Sequence, residues 1–431
     1  MTAGFWPAGF RISRLPHRLR RLARTGTDRQ HPGMSDPDIS DDAPPAPAPV
    51  LPTGVPLAVG LPQALAFRLA RQHLVLPADD PVSVARTLLG AQAQVQSAAV
   101  LQLRARTAGF PDAVLDRALY TDRTLVRLWA QRSTLHLTAR DDLGLILALR
   151  RLYAGGYHRW YAREGLEPDQ VDRLVTAVAE AVAAGPHSRM DLSRLLTPRL
   201  GAWAQPWLEH SWGGIIKLAA ALGHVCHGPA RTEGEAGVEA LFVSLPRWVD
   251  LPPVPEGRVA MAALLRRYLA VYGPAGVGDF RKFTGLPGAA VPQAFADLGP
   301  ELLPVDLAGR RAFVLAADEA ALRTAEPEPG HLTALPLFDP WLLAHADTGQ
   351  YLDDRHRKAV YRTAGWISAV VLRQGRVVAT WTHRRTAAGW CVTVQPLETL
   401  ARRELAPLRR RLALLAGLRP GQIEVVVDKT R

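Results

Sequence analysis

Thr124-Leu-Val-Arg-Leu-Trp-Ala-Gln-Arg-Ser-Thr-Leu-His-Leu-Thr138 alternates with period two. Leu125, Arg127, Trp129, Gln131, Ser133, Leu135 and Leu137 fall on one side; Val126, Leu128, Ala130, Arg132, Thr134 and His136 fall on the other. That pattern predicts extended chain. Upstream, the spacing is helical. Leu61, Leu65, Leu69 and Leu74 mark one helix, and Asp80 with Pro81 opens a second as N-cap and first helical residue. Gly90 breaks that helix, Ser97 is expected to cap a third running to about Thr107, and a fourth begins at Pro111. Three or four helices followed by extended chain is the order of a winged helix.

The order recurs. Pro168–Gly185, Ser188–Leu200 (started by Asp191 or Ser193) and Trp207–Gly223 read as helices. Arg231–Gly237 reads as a wing tip and Val238–Val249 as its return strand, before the linker Leu251-Pro-Pro-Val-Pro255. A third round has helices at Val259–Tyr272, Val277–Gly285 and Pro287–Leu298, then a hairpin over Leu302–Leu315. These rounds share element order and no residue-level repeat. Beyond Gly330, Trp366–Leu372, Arg376–Thr382 and Trp390–Val394 read as strands, followed by a helix at Leu400–Leu415 and a strand at Ile423–Val427. They make a small barrel-like or α+β unit.

With 431 residues, the chain has room for two to four domains. No run of eighteen uncharged apolar residues suggests a membrane span. Cys226 and Cys391 cannot form a disulfide framework, which suits a reducing cytoplasm. His224-Val-Cys226-His227 lacks the paired spacing of a zinc site, so no metal or other cofactor is expected. The net charge of +12 is unevenly spread: residues 1–33 hold seven arginines against Asp28 alone, 7 − 1 = +6. An acidic, proline-rich stretch follows, so residues 1–57 are expected to be a disordered tail, with Met34 a candidate start beside Met1. The other +6 is a modest basic surplus compatible with nucleic acid.

Leu89-Gly-Ala-Gln-Ala-Gln-Val-Gln-Ser97 sets Gln92 and Gln94 two residues apart at the junction of two helices. Carboxamides do not ionise, so the pair is no acid or base near pH 7. It can hold a water between a carbonyl acceptor and an amide donor. That is useful where the leaving group needs no proton, as with a purine made cationic by alkylation at N7. The alternative is a solvated turn between helices.

Leu89-Gly-Ala-Gln-Ala-Gln94, Arg127-Leu-Trp-Ala-Gln-Arg-Ser-Thr-Leu-His136, Leu335-Pro-Leu-Phe-Asp-Pro-Trp-Leu-Leu343 and Gly375-Arg-Val-Val-Ala-Thr-Trp381 occur in that order. Together they resemble the AlkZ-like winged-helix DNA glycosylases over roughly residues 58–429. The resemblance implies an α+β fold, mostly α, with three tandem winged helices and a small C-terminal β-barrel closing round duplex DNA. The corresponding domains are 58–165, 166–255, 256–330 and 331–431. It also implies excision of N7-alkylated purines and, in some members, unhooking of interstrand crosslinks. The family's catalytic Gln-x-Gln motif lands on Gln92 and Gln94. A sister branch has aspartate at the second position, so this chain resembles the first branch. The family usually shows glycine where this chain has Ser133.

On one strand face, Arg132, Thr134 and His136 would meet DNA near the glutamines; otherwise they hold the first domain together by hydrogen bonds. The run Trp381-Thr-His-Arg-Arg385 leads into a turn, where Trp381, His383, Arg384 and Arg385 are candidate minor-groove contacts. Asp339, in an apolar setting, needs a cationic partner, with Arg355 or Arg357 as candidates. Trp160, Trp203, Trp207 and Trp212 read as core aromatics. The expected protein is a cytoplasmic, nucleoid-associated bacterial monomer acting on double-stranded DNA with alkylated purines, as a monofunctional DNA glycosylase. The competing functions are a non-enzymatic winged-helix transcription regulator and a protein that shields lesions without cutting.

Overall fold

The computed structural model describes residues 49–428 apart from 211–213, 233–237, 287 and 289. The expected tail up to residue 48, Trp212 and the tip of the 231–237 wing therefore lie outside the described residues.

Residues 49–56 have no regular structure, and the first described strand, β1 (Leu57–Val59), opens at the last residue of the expected tail. It pairs in parallel with β9 (Leu302–Leu307), whose other neighbour is the antiparallel β10 (Arg310–Leu315). The 302–315 hairpin forms as expected, and β1 completes its sheet. Helix α1 (Leu61–Arg71) follows, then α2 (Pro81–Thr87), where the Asp80 carboxylate accepts from the Val82 and Ser83 amides. Strand β2 (Ala91–Gln92) leads into α3 (Gln96–Arg104). Val95 occupies the N-cap of α3 in place of Ser97, which lies inside the helix.

The period-two run is not one strand. It folds into a hairpin of β3 (Leu125–Trp129) and β4 (Leu135–Ala139), turning at Gln131–Ser133. Positive φ at both Arg132 and Ser133 suits the twist of a tight hairpin. β2 adds to β4, and β5 (Val225–His227) adds to the far side of β3. After β6 (Arg231–Thr232) and β7 (Val238–Glu239), β8 (Phe242–Ser244) completes a five-stranded sheet in the order β2-β4-β3-β5-β8. The expected first and second domains thus share one sheet. Leu245–Trp248 is a helical turn, so the expected return strand stops at Ser244.

The helices around this sheet are α4 (Leu143–Arg163), α5 (Pro168–Ala184), α6 (Arg189–Leu200) and α7 (Gly214–Ala221). Ser188 caps α6 and forms a reciprocal pair with Asp191. The expected helix over Trp207–Gly223 is split, with Gln205–Leu208 a separate turn. Trp160, Trp203 and Trp207 pack against the core. Next come α8 (Gly257–Tyr272), α9 (Val277–Thr284) and α10 (Ala290–Leu298). A left-handed Gly285 ends α9. One apolar cluster runs from Val84 to Ala344, joining all these helices. No described helix is long and apolar enough to cross a membrane.

The C-terminal strands β11 (Leu332–Leu335), β12 (Ala369–Arg373), β13 (Arg376–Thr386), β14 (Gly389–Pro396) and β15 (Ile423–Val427) pair in sequence order. β15 runs parallel to β14 after the crossover helix α11 (Leu405–Ala416). β11 and β15 are opposite edges, so this is an open sheet and not the expected closed barrel. The reason lies in burial of both faces. Val371, Ala379 and Trp381 pack against Leu408 and Leu412 of α11; Val370, Leu372 and Val377 pack against Leu65 and Leu69 of α1. A sheet covered on both sides has nothing to gain by closing on itself.

Candidate active site

The glutamine loop hangs between α2 and α3. Leu89 (φ 59°) and Gly90 (φ 110°) turn the chain sharply into β2. A Cβ on Gly90 would lie 3.2 Å from Thr138 Oγ1 and 3.3 Å from the His136 Cβ, so only glycine fits there without displacement. The Gln131 amide donates to the Leu89 carbonyl at 2.6 Å and secures the turn.

β2 then pairs with β4, setting Gln92 opposite His136. The Gln92 carbonyl accepts from Gln102 Nε2 at 3.0 Å. Its side-chain Oε1 accepts from Arg132 Nη2 at 2.9 Å, which fixes the orientation of the carboxamide. Gln92 is 6% exposed, whereas Gln94 is open to solvent. The Gln94 Oε1 receives a long bond, 3.4 Å, from the Leu135 amide. Each carboxamide oxygen is thus anchored once and retains a second lone pair, while both NH₂ groups can donate.

Arg132 grips two elements. Its Nη1 donates to the Phe283 carbonyl at 2.7 Å, and the guanidinium lies 5.9 Å from the Phe283 ring centroid. Burial pulls its pKa down to about 10, leaving it cationic at neutral pH. Ser133, also left-handed, is held by Tyr157 (3.0 Å between hydroxyls) and by Arg150. These bonds hold in place a conformation that costs a non-glycine residue about 1 kcal/mol or more.

Arg132, Thr134 and His136 do not share a strand face, because the chain reverses at Arg132. The Thr134 hydroxyl bonds back to the Gln131 carbonyl at 3.2 Å. His136 is 3% exposed, its Nδ1 bonded to the Thr134 carbonyl at 2.8 Å. Burial, then repulsion from Arg132 and Arg150, lowers its pKa to about 3. It packs as a neutral ring against Gly90, as the hydrogen-bonding alternative expected.

Arg127 carried no assigned role in the sequence, yet it supports the loop directly. Its two terminal nitrogens donate to the Ala93 carbonyl and to Gln96 Oε1, each at 3.2 Å. A long cation alternating with apolar residues on a strand beside the motif was the available signal. Gln102 was also missed. It donates to the carbonyls of Gln92, Leu337 and Phe338, joining the loop to the C-terminal part. Beneath it, Asp339 accepts from both terminal nitrogens of Arg106 at 2.8 and 2.9 Å, with both side chains wholly buried. Arg106 is therefore the partner of Asp339, and Arg355 and Arg357 are not.

Trp381 is 2% exposed and donates its indole N–H to the Leu335 and Val370 carbonyls. It is a core residue with no face left for nucleic acid. His383, Arg384 and Arg385 are exposed near the end of β13. The His383 ring stacks on Trp390 at 3.9 Å between centroids, and partial burial with repulsion from Arg385 lowers its pKa. The four sequence motifs thus meet through Arg132–Gln92, Gln102–Leu337, Trp381–Leu335 and the close approach of Gly375 to Trp341.

Comparison with known proteins agrees with this assembly. The family profile described as DNA glycosylase AlkZ-like matches residues 85–418. An interstrand DNA cross-link repair glycosylase of Streptomyces sahachiroi is 35% identical over 331 residues, covering 74% of this chain and 86% of that protein. The solved structure of Streptomyces sahachiroi DNA glycosylase AlkZ superposes with a TM-score of 0.76 at 30% identity, covering 86% of this chain and 100% of that one.

Proposed function

The chain belongs to the AlkZ-like DNA glycosylase family, and on that footing we propose that it hydrolyses the N-glycosidic bond of N7-alkylated purines through a water held by Gln92 and Gln94. The observation that carries this reading is the Arg132–Gln92 bond, which orients a side chain incapable of proton transfer. The bond sets the direction the carboxamide faces, which holding a water in line with C1′ would require.

An N7-alkylated purine already bears a positive charge and departs as a neutral base. No general acid is required. As the bond stretches, C1′ gains oxocarbenium character and must be met by water from the opposite side. The water donates to the remaining lone pair of a glutamine oxygen and points its own lone pair at C1′; the base leaves with the C1′–N9 electrons and the added water passes its surplus proton to bulk solvent, a gain in orientation and not in acidity. The positive charge on the sugar is balanced by DNA phosphates. The same selectivity would extend to interstrand crosslinks made through N7; the Streptomyces relative is named for repair of interstrand DNA cross-links. In this reading the protein is a monomer that grips the duplex through tandem winged helices, near the nucleoid, with His383, Arg384 and Arg385 entering the minor groove.

The test is release of free base from duplex DNA carrying N7-methylguanine. The Gln92→Ala and Gln94→Ala proteins should each lose about 10²-fold in single-turnover rate, the loss expected when a reacting group is no longer held in position. Release at the parental rate by both variants would overturn the assignment.

A further inference from the structure

Helix α9 ends as Arg281-Lys282-Phe283-Thr284 against the turn that carries Arg132. The contact is close: a Cβ on Gly285 would lie 3.1 Å from the Arg132 Cα. The segment after β11 is pinned to the same helix, since the Ala346 amide donates to Asp279 Oδ1 at 2.8 Å. Two residues on, Thr348 accepts from Arg357, whose guanidinium lies 5.0 Å from the Tyr361 ring centroid. Arg132, Lys282 and Arg357 thus come from three distant stretches of sequence to the neighbourhood of α9, where Arg132 also bonds Gln92.

None of the three has a carboxylate partner among the described residues. Arg132 bonds a carbonyl and a carboxamide, and Arg357 a hydroxyl. Lys282 is exposed and makes no ion pair among the described residues. Elsewhere, arginines pair readily with acids, as in Arg258–Asp297, Arg266–Glu301 and Arg267–Asp142. Partial burial lowers the Lys282 pKa, and repulsion from Arg132 and Arg357 adds to it. Like charges gathered without an acid are stabilised by an anion that arrives from outside.

We propose that Lys282 and Arg357 together bind one phosphodiester of the DNA strand beside the Gln92 carboxamide, fixing the reacting nucleotide against the glutamine pair. This rests on the glycosylase site proposed above. Lys282 supplies a compact point charge and Arg357 a planar fork, a pairing suited to the oxygens of one phosphate. A phosphate held there also sets negative charge near the sugar that turns cationic in the transition state.

The experiment is the salt dependence of equilibrium binding to a short duplex for the parent, Lys282→Gln, Arg357→Gln and the double variant. Arg199→Gln serves as the charge control, because that guanidinium, on α6, pairs with Glu180 of α5 at 3.3 Å. The double variant should flatten the slope of log K against log salt by about 0.9, the value of one phosphate contact. Each single variant should lose a share of it, Arg199→Gln none, and Lys282→Arg should regain the parental slope. Base release at saturating DNA should slow in the double variant. An unchanged slope in the double variant, or an equal loss in Arg199→Gln, overturns the proposal. A parental rate for Gln92→Ala alongside a flattened slope in the double variant would instead remove the glycosylase site and leave the phosphate contact standing.

Discussion

Gln102 holds Gln92 from behind: its Nε2 lies 3.0 Å from the Gln92 carbonyl and 3.3 Å from that of Leu337. One carboxamide therefore sets the spacing between the glutamine loop and the start of the C-terminal part. Gln102→Leu leaves these carbonyls without their donor, at a cost of about 1–3 kcal/mol. The expected result is a lower urea midpoint and a slower single-turnover rate, with DNA affinity near the parental value. A parental rate in a folded variant would show that the loop is held by other means.

Arg132 orients Gln92 with one prong and holds Phe283 with the other. An ammonium cannot span both acceptors with fixed geometry, so Arg132→Lys should not rescue the loss caused by Arg132→Leu. Both variants should slow base release by about tenfold or more, in the manner of a misplaced catalytic group. Full rescue by lysine would mean that charge alone matters at this position.

Gly90 sits at φ 110° with two atoms of β4 in the way of any Cβ. Gly90→Ala should destabilise the protein by about 1–3 kcal/mol through strain at a position that side chains rarely adopt. Because Gln92 is two residues away, the rate of base release should fall further than the loss of folded protein explains. Comparing rates per folded molecule, with folding followed by circular dichroism, checks this.

The Arg106–Asp339 pair is buried and bidentate. Arg106→Leu strands a carboxylate in the interior and should cost about 3–5 kcal/mol, read from urea unfolding. Adding Asp339→Asn should recover part of that loss, since it removes the stranded charge. A further loss in the double variant would contradict the pairing.

Acid should weaken the fold through His136. Its folded pKa of about 3 lies below the unfolded value of about 6.5. The unfolded chain then binds more protons between these values, so stability rises with pH across that window. The contribution is complete above pH 6.5 and is lost as pH falls towards 3. At pH 5 the loss is up to about 2 kcal/mol relative to neutral pH. Unfolding free energies from pH 4.5 to 7.5 should show this slope, and His136→Gln should flatten it.

Local signals in the sequence carried well into the structure. Asp80 with Pro81 starts α2, Gly285 stops α9, and the hairpin over 302–315 forms where turn residues predict it. Gln92 and Gln94 lie between two helices, as their spacing suggested. The 124–138 hairpin stayed hidden because Gln131, Arg132 and Ser133 offer no glycine, asparagine or aspartate to mark a reversal. The left-handed Arg132 and Ser133 are held there by bonds to residues 92, 150, 157 and 283, which no local pattern reveals. Trp381 looked like part of a basic arm because Arg384 and Arg385 follow it, but the strand dips into the core before its tip emerges. Arg106 and Asp339 are 233 residues apart, beyond the reach of any periodicity.

The shared duty of Gln102 bears on when the enzyme can first act in the cell. During synthesis, the loop with Gln92 leaves the ribosome long before Leu337 and Phe338 exist to brace it, and Arg106 waits as long for Asp339. A nascent or prematurely terminated chain thus carries the glutamine pair without its backing. On the proposed function, base release is withheld from fragments, and competence comes only once residues 337–339 are in place.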